Sequence, residues 1–208
     1  MHIVQRLQAE GLRIVGTGRS PAPSPFTCQF LLMSEKYKTY EGGIFFVTLT
    51  VVGWIDVFTR PDYADLFLDS LRFCIRRKGL RVYAFCIMPS HVHLIADVED
   101  GLLLADVLRD LKSFTAKSIY QLLETHPQES RRDWLLHLLQ FYGRPHGQAF
   151  KFWQEGNHPI DLKSTAWMQE KQEYIHQNPV QNRLVDEAHH YPFSSAFPDC
   201  GVPLSEFL

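Results

Sequence analysis

Phe85-Cys86-Ile87-Met88-Pro89-Ser90-His91-Val92-His93-Leu94-Ile95 is an apolar run broken once by Pro-Ser, after which it resumes with two histidines two residues apart. An apolar, β-branched run that doubles back through a tight Pro-Ser connection reads as two antiparallel strands, one over Leu80–Met88 and the next over residues 91–97. Successive side chains of a strand point to opposite faces, so His91 and His93 share one face, about 7 Å apart, while Val92 and Leu94 enter the core. Two imidazoles on one rigid surface either hold a divalent ion or merely decorate a half-buried strand. A third ligand and a reactive group at the same place would decide for chemistry.

Outward from this pair, residues 44–52 form a continuous β-branched and aromatic run after Gly42-Gly43, which suits a first strand buried on both faces. Pro61 suits a first helical turn, and Ala64, Leu68, Leu71 and Ile75 continue a 3.6-period stripe that stops at Gly79. A second helix follows from Leu104, Leu108, Leu111, Thr115, Ile119 and Leu122, ending near His126-Pro127. Ser130-Arg131-Arg132-Asp133 resembles a capping box and opens a short inserted helix with Trp134, Leu135, Leu138, Leu139 and Tyr142. Residues 149–154 supply a fourth strand, and the chain after the last helix, with Tyr191-Pro192-Phe193, reads as an irregular tail packed back on the domain. The order strand, helix, strand, strand, helix, strand is that of a ferredoxin-like or RRM-like βαββαβ sandwich, an α+β fold with an antiparallel sheet. Its helices cover one face and leave the other to the histidines and to an added C-terminal helix.

That helix contains Lys171-Gln172-Glu173-Tyr174-Ile175-His176-Gln177-Asn178-Pro179-Val180. Asp161 or Ser164 caps it, and it is expected to end at Asn178, because the residue before a proline is pushed out of the helical region. Tyr174 and Asn178 are i, i+4 neighbours, so a phenol and an amide oxygen are presented together. His176 lies roughly 200° around the helix from Tyr174 and is given a packing role.

The apolar-His-apolar-His-apolar strand of His91 and His93, followed by a helix reading Tyr-Ile-His-x-Asn-Pro-Val, resembles the single-tyrosine HUH transposases and, within them, the REP-associated tyrosine transposases. The resemblance runs from about residue 33 to 196. It includes Tyr37-Lys38, Phe45-Phe46-Val47-Thr48, Leu111-Lys112-Ser113-Phe114-Thr115-Ala116-Lys117, Phe152-Trp153 and Tyr191-Pro192-Phe193-Ser194-Ser195. It implies a metal-dependent endonuclease and strand transferase for single-stranded DNA beside a hairpin. In such an enzyme tyrosine, here Tyr174, takes the 5′-phosphate and frees a 3′-OH that later rejoins strands.

A phenol is a weak nucleophile at neutral pH unless charge is supplied nearby. A divalent ion held by His91, His93 and the Asn178 side-chain oxygen supplies it, and this mixed nitrogen and oxygen set suits Mg²⁺ or Mn²⁺. Lys171, one turn before Tyr174, either steadies the phenolate or the scissile phosphate or is an ordinary solvated lysine. The resemblance also implies that the segment at 34–40 reads a short guide tetranucleotide. Its Lys36, Tyr37 and Lys38 offer phosphate contacts and a stacking surface for unpaired bases. Tyr83, Phe150, Phe152 and Trp153 are either base platforms or core.

The chain has 208 residues, 45% of them hydrophobic, enough for one ordinary domain with its own core. Residues 1–32, aperiodic with Gly16, Gly18, Pro21, Pro23 and Pro25, read as a disordered extension, and 33–208 as the transposase domain. The cysteines Cys28, Cys74, Cys86 and Cys200 form no C-x-x-C pair, so neither a zinc framework nor a disulfide scaffold is indicated, and a cytoplasmic, nucleoid-associated protein is expected. No apolar run is long enough to span a membrane. No small-molecule cofactor is expected, and the chain is read as a monomer or homodimer. A net charge of −2 argues against gripping duplex DNA along the whole surface. Clustered bases remain, in Arg72, Arg76, Arg77, Lys78 and Arg81 and in Lys112 and Lys117, as a DNA patch or as solvated helix faces. Two other readings stand beside the leading one. A catalytically idle nucleic-acid-binding regulator leaves the His91, His93, Tyr174 and Asn178 set without a purpose, and a metal phosphohydrolase leaves Tyr174 unexplained.

Overall fold

The computed structural model describes residues 39–207. The extension at 1–32 and the candidate DNA contacts Lys36, Tyr37 and Lys38 lie outside the described residues. Strands β1 (Phe45–Thr50), β2 (Leu80–Met88), β3 (His91–Val98) and β4 (Ile160–Asp161) form one antiparallel sheet in the order β2-β3-β1-β4. Helices α1 (Pro61–Arg77), α2 (Leu104–Thr125), α3 (Arg132–Gly143) and α4 (Thr165–Gln181) complete the regular structure. The strand order is the ferredoxin-like one, with α3 and α4 added to it. Among the described residues no helix is long and apolar enough to cross a membrane.

The sheet is buried on both faces because its strands are apolar on both. Val47, Leu49, Phe85, Ile87, Val92 and Leu94 face Leu68 and Leu71 of α1 and Leu108 and Leu111 of α2. On the other side Phe46, Ala84, Cys86, Met88 and Ile95 pack with Ile175 of α4 and Tyr191 of the tail. Fully burying a side chain of this size contributes roughly 1.5–3 kcal/mol, so this second layer holds α4 against the sheet without any help from the site. Pro61 opens α1, and Gly79, at φ 62°, turns the chain into β2.

Three expectations are corrected. Residues 149–154 do not form the fourth strand. Trp153 makes an isolated bridge to Val51, and the regular pairing belongs to Ile160–Asp161 against Phe45 and Phe46. The chain does run beside β1 throughout, with Gln154 N donating to Thr50 O and Thr48 N donating to Asn157 O. It is interrupted where Gly156 and His158 take positive φ and Pro159 lacks an N–H. The second correction concerns α4, which passes through Pro179 to Gln181. Its stop is Asn182-Arg183. Arg183, at φ 58°, donates to Val180 O, and Leu184 N donates to Pro179 O, the paired bonds of a left-handed C-terminal cap. Ser164 does cap the other end, accepting from Trp167 N at 3.3 Å. Third, Ser130 caps nothing at α3, and the buried carboxylate of Glu129 accepts from Arg131 N instead.

The tail lies along β2. Ile87 N donates to Phe193 O, Ser195 N to Phe85 O, and Ser205 N to Val82 O, while the Tyr191 hydroxyl donates to Ile87 O at 2.8 Å. His176 Nε2 is 2.9 Å from Ser195 Oγ, which gives this histidine the packing role expected of it.

Candidate active site

Register places the histidines. In the sheet His93 is opposite Thr48 of β1 and Cys86 of β2, and His91 is opposite Thr50 and Met88. Both imidazoles therefore stand on the face covered by α4, with ring centroids 4.7 Å apart. Each has its Nδ1 beside a hydroxyl: His93 is 3.0 Å from Thr48 Oγ1, and His91 is 3.2 Å from Ser90 Oγ. Nε2 is then the nitrogen left to act. For His93, 5% exposed, Nε2 is buried with no hydrogen-bond partner. Burial, reinforced by the neighbouring His91, pulls the His93 imidazolium down to about 3, and burial lowers His91 too. Both rings are neutral at pH 7, the state that ligates a metal and the wrong one for gripping phosphate as a cation.

Tyr174 is brought to this pair by α4. Its ring centroid lies 5.4 Å from that of His93 and 6.0 Å from that of Phe46, edge to face in both cases. Phe46 stacks on His93 at 5.3 Å and forms the floor. Tyr174 nonetheless remains 41% exposed, so a large substrate can reach its hydroxyl. The Lys171 ammonium sits 5.8 Å from the Tyr174 ring centroid while also pairing with Glu170. Asn178 is buried one turn beyond Tyr174, its Oδ1 accepting from Asn182 Nδ2 at 3.2 Å.

The orphaned Nε2 of His93 and the two neutral rings fit a divalent ion. Among the described residues, the one set of three His, Cys, Asp or Glu donors within 4.8 Å of one another is Glu187, His189 and His190, all exposed. No carboxylate therefore joins the His91 and His93 pair at that distance. The expected third ligand, Asn178, lies on the helix that carries Tyr174, and its Oδ1 already accepts from Asn182.

Other candidates have structural occupations. Lys112 of α2 donates to Gln154 O, Gly156 O and Asn157 Oδ1 at 2.9, 3.2 and 2.9 Å, and burial, with Lys151 nearby, draws its ammonium down to about 8. It ties down the loop whose Asn157 carbonyl accepts from Thr48 N. Of the basic run, Arg72 bonds Asp69 and Gly201 O, Lys78 pairs with Asp110, and Arg81 makes two 2.8 Å bonds to Asp97. Phe152 and Trp153 are core, Tyr83 stacks on Phe207, and Phe150 stacks on Tyr120. Tyr40, at the end of the lead-in segment, donates to Asp161 Oδ2 at 2.8 Å and packs on Phe45. Phe46, Thr48, Ser90 and Trp54, whose ring lies 5.5 Å from His91, are site residues that the sequence pattern did not single out.

Residues 55–138 match the family model described as Transposase IS200 like, a span that includes both histidines and stops short of α4. A solved REP-associated tyrosine transposase bound to a REP hairpin matches with a TM-score of 0.57 at 17% identity, over 81% of this chain and 85% of that one. A putative transposase from Deinococcus radiodurans R1 matches with a TM-score of 0.43 at 22% identity, over 65% of this chain and 89% of that one. No curated protein matches the chain. The chain is thus similar to IS200-like transposases in sequence through its central part, and to a REP-associated tyrosine transposase in fold through most of its length.

Proposed function

We propose that the chain is a single-tyrosine transposase that cuts and rejoins single-stranded DNA beside a hairpin, with Tyr174 as nucleophile. The observation that carries this reading is the seating of an exposed phenol against two neutral histidines, of which His93 is buried with an Nε2 that has no hydrogen-bond partner. The likeness to IS200-like transposases and to a fold-mate bound to a REP hairpin supports the substrate class.

In the proposed reaction the Tyr174 oxygen attacks the scissile phosphorus in line. The new bond is tyrosine O–P and the broken one is P–O3′. The phenol gives up its proton, and the departing 3′ oxygen takes one to become a 3′-OH. A Mg²⁺ or Mn²⁺ bound by His91, His93 and Asn178 would supply positive charge to a non-bridging phosphate oxygen. Lys171, close to the phenol ring, favours the developing phenolate. Phosphate ester is exchanged for phosphate ester, so the later attack of a 3′-OH on phosphotyrosine needs no external energy source.

The test is a covalent adduct on a hairpin-tailed single strand, resistant to denaturant. Tyr174→Phe is expected to abolish the adduct and retain DNA binding. An adduct that persists in the Phe variant assigns the nucleophile elsewhere, and no adduct with the parent chain favours a binding regulator. For the lead-in at 34–40, deleting residues 1–32 is expected to leave cleavage unchanged and deleting eight more to weaken hairpin binding.

A further inference from the structure

We propose that Trp54 is a stacking platform for an unpaired nucleobase at the rim of the histidine pair, a subsite that rests on the single-strand reading above. Trp54 is 61% exposed, so its indole face is open to solvent. It is also strained. Gly53 and Trp54 both have positive φ, 62° and 56°, in a turn closed by Ile55 N donating to Val52 O. Two left-handed central residues are what glycine, asparagine and aspartate tolerate, and a bulky aromatic does not.

The strain is not relieved by motion, because the turn is bolted down on both sides. Val51 N donates to Ser90 O, Val52 N donates to Phe152 O, and Val52 and Ile55 are buried. Tyr142 packs so closely behind Gly53 that a Cβ there would strike its hydroxyl. The link to Ser90 sets this turn against the residue that precedes His91, and the indole stands edge to face with His91 at 5.5 Å. An unfavourable residue held rigid, exposed and beside a site is the pattern of strain retained for use. The chemistry an indole face offers there is stacking with a base, tolerant of sequence and available only where bases are unpaired.

The experiment compares the parent chain with Trp54→Gly, Trp54→Ala and Trp54→Phe, each checked by circular dichroism. The probes are a fluorescein-labelled oligothymidylate, a hairpin carrying a single-stranded flank, and a blunt duplex. Trp54→Gly is expected to raise the melting temperature by a few degrees as the left-handed strain is released, yet to weaken single-strand binding about tenfold. Ala should weaken it similarly, Phe should keep most of it, and duplex binding should not move. A purely structural tryptophan would lower both stability and binding when replaced by glycine, which would overturn the proposal, as would unchanged single-strand affinity in the Gly and Ala variants. If the parent chain itself does not bind the single-stranded probes, the single-strand reading fails first and takes the subsite with it. Binding by the parent with no effect of Trp54 removes the subsite alone.

Discussion

Thr48 decides which nitrogen of His93 is free. A buried Nε2–H with no acceptor would cost about 1–3 kcal/mol, so the proton belongs on Nδ1, donating to Thr48 Oγ1, and the Nε2 lone pair is left for a metal. Thr48→Val keeps the shape and removes the acceptor. It is expected to weaken Mn²⁺ binding about tenfold, while Thr48→Ser retains it, as read by calorimetry with the metal alone. Equal affinities in all three proteins would mean that the hydroxyl does not orient the ring. At this scale the sequence was partly readable. His91, His93 and Tyr174 announce themselves by type and spacing. Thr48 and Phe46 do not, because their importance comes from lying opposite or beside His93 once β1 and β3 pair in one register. Trp54 needs the left-handed turn to reach His91.

Among the elements, the join between α1 and α3 is held by one carboxylate. Glu129 receives Arg60 Nε at 3.1 Å, Arg131 Nε at 3.2 Å and the Tyr63 hydroxyl at 3.3 Å. Burial raises its carboxyl, but the bonds from Arg131 and the charges of Arg131 and Arg60 outweigh that and hold it below the usual glutamate range. The folded state therefore binds this proton less readily than the unfolded one. Its contribution is complete above the ordinary glutamate value of about 4.3 and is lost as pH falls through the lower folded value. Glu129→Gln should cost about 2 kcal/mol at pH 7, and the gap between variant and parent in urea unfolding should narrow in strong acid. A gap constant down to pH 3 would count against the ion pairs. At the N-terminus of α4, Ser164→Ala should cost about 1 kcal/mol, visible as a lower thermal midpoint. Continuous apolar strands and 3.6-period stripes made β1 to β3, α1 and α2 readable. The end of α4 was not, since Pro179 is the loudest local signal and the actual stop uses an arginine where glycine is usual. The fourth strand was obscured because two short pieces share its place.

For the whole molecule, two apolar layers on either side of the sheet form a core to which the histidine pair adds little. Chelation with EDTA is therefore expected to stop DNA cleavage and leave the melting temperature unchanged; a large drop would make the ion part of the fold. The sheet's two outer strands are protected differently. Beside β1, β4 is only two residues long, whereas β2 is a nine-residue apolar strand screened by the tail through Phe193, Ser195 and Ser205. An uncovered strand of that kind is a template for adhesion between molecules. Cutting the chain before Tyr191 should therefore do more than loosen the end. It should turn a well-behaved particle into one that sticks to its own copies, seen as early elution and turbidity at concentrations where the uncut chain stays clear.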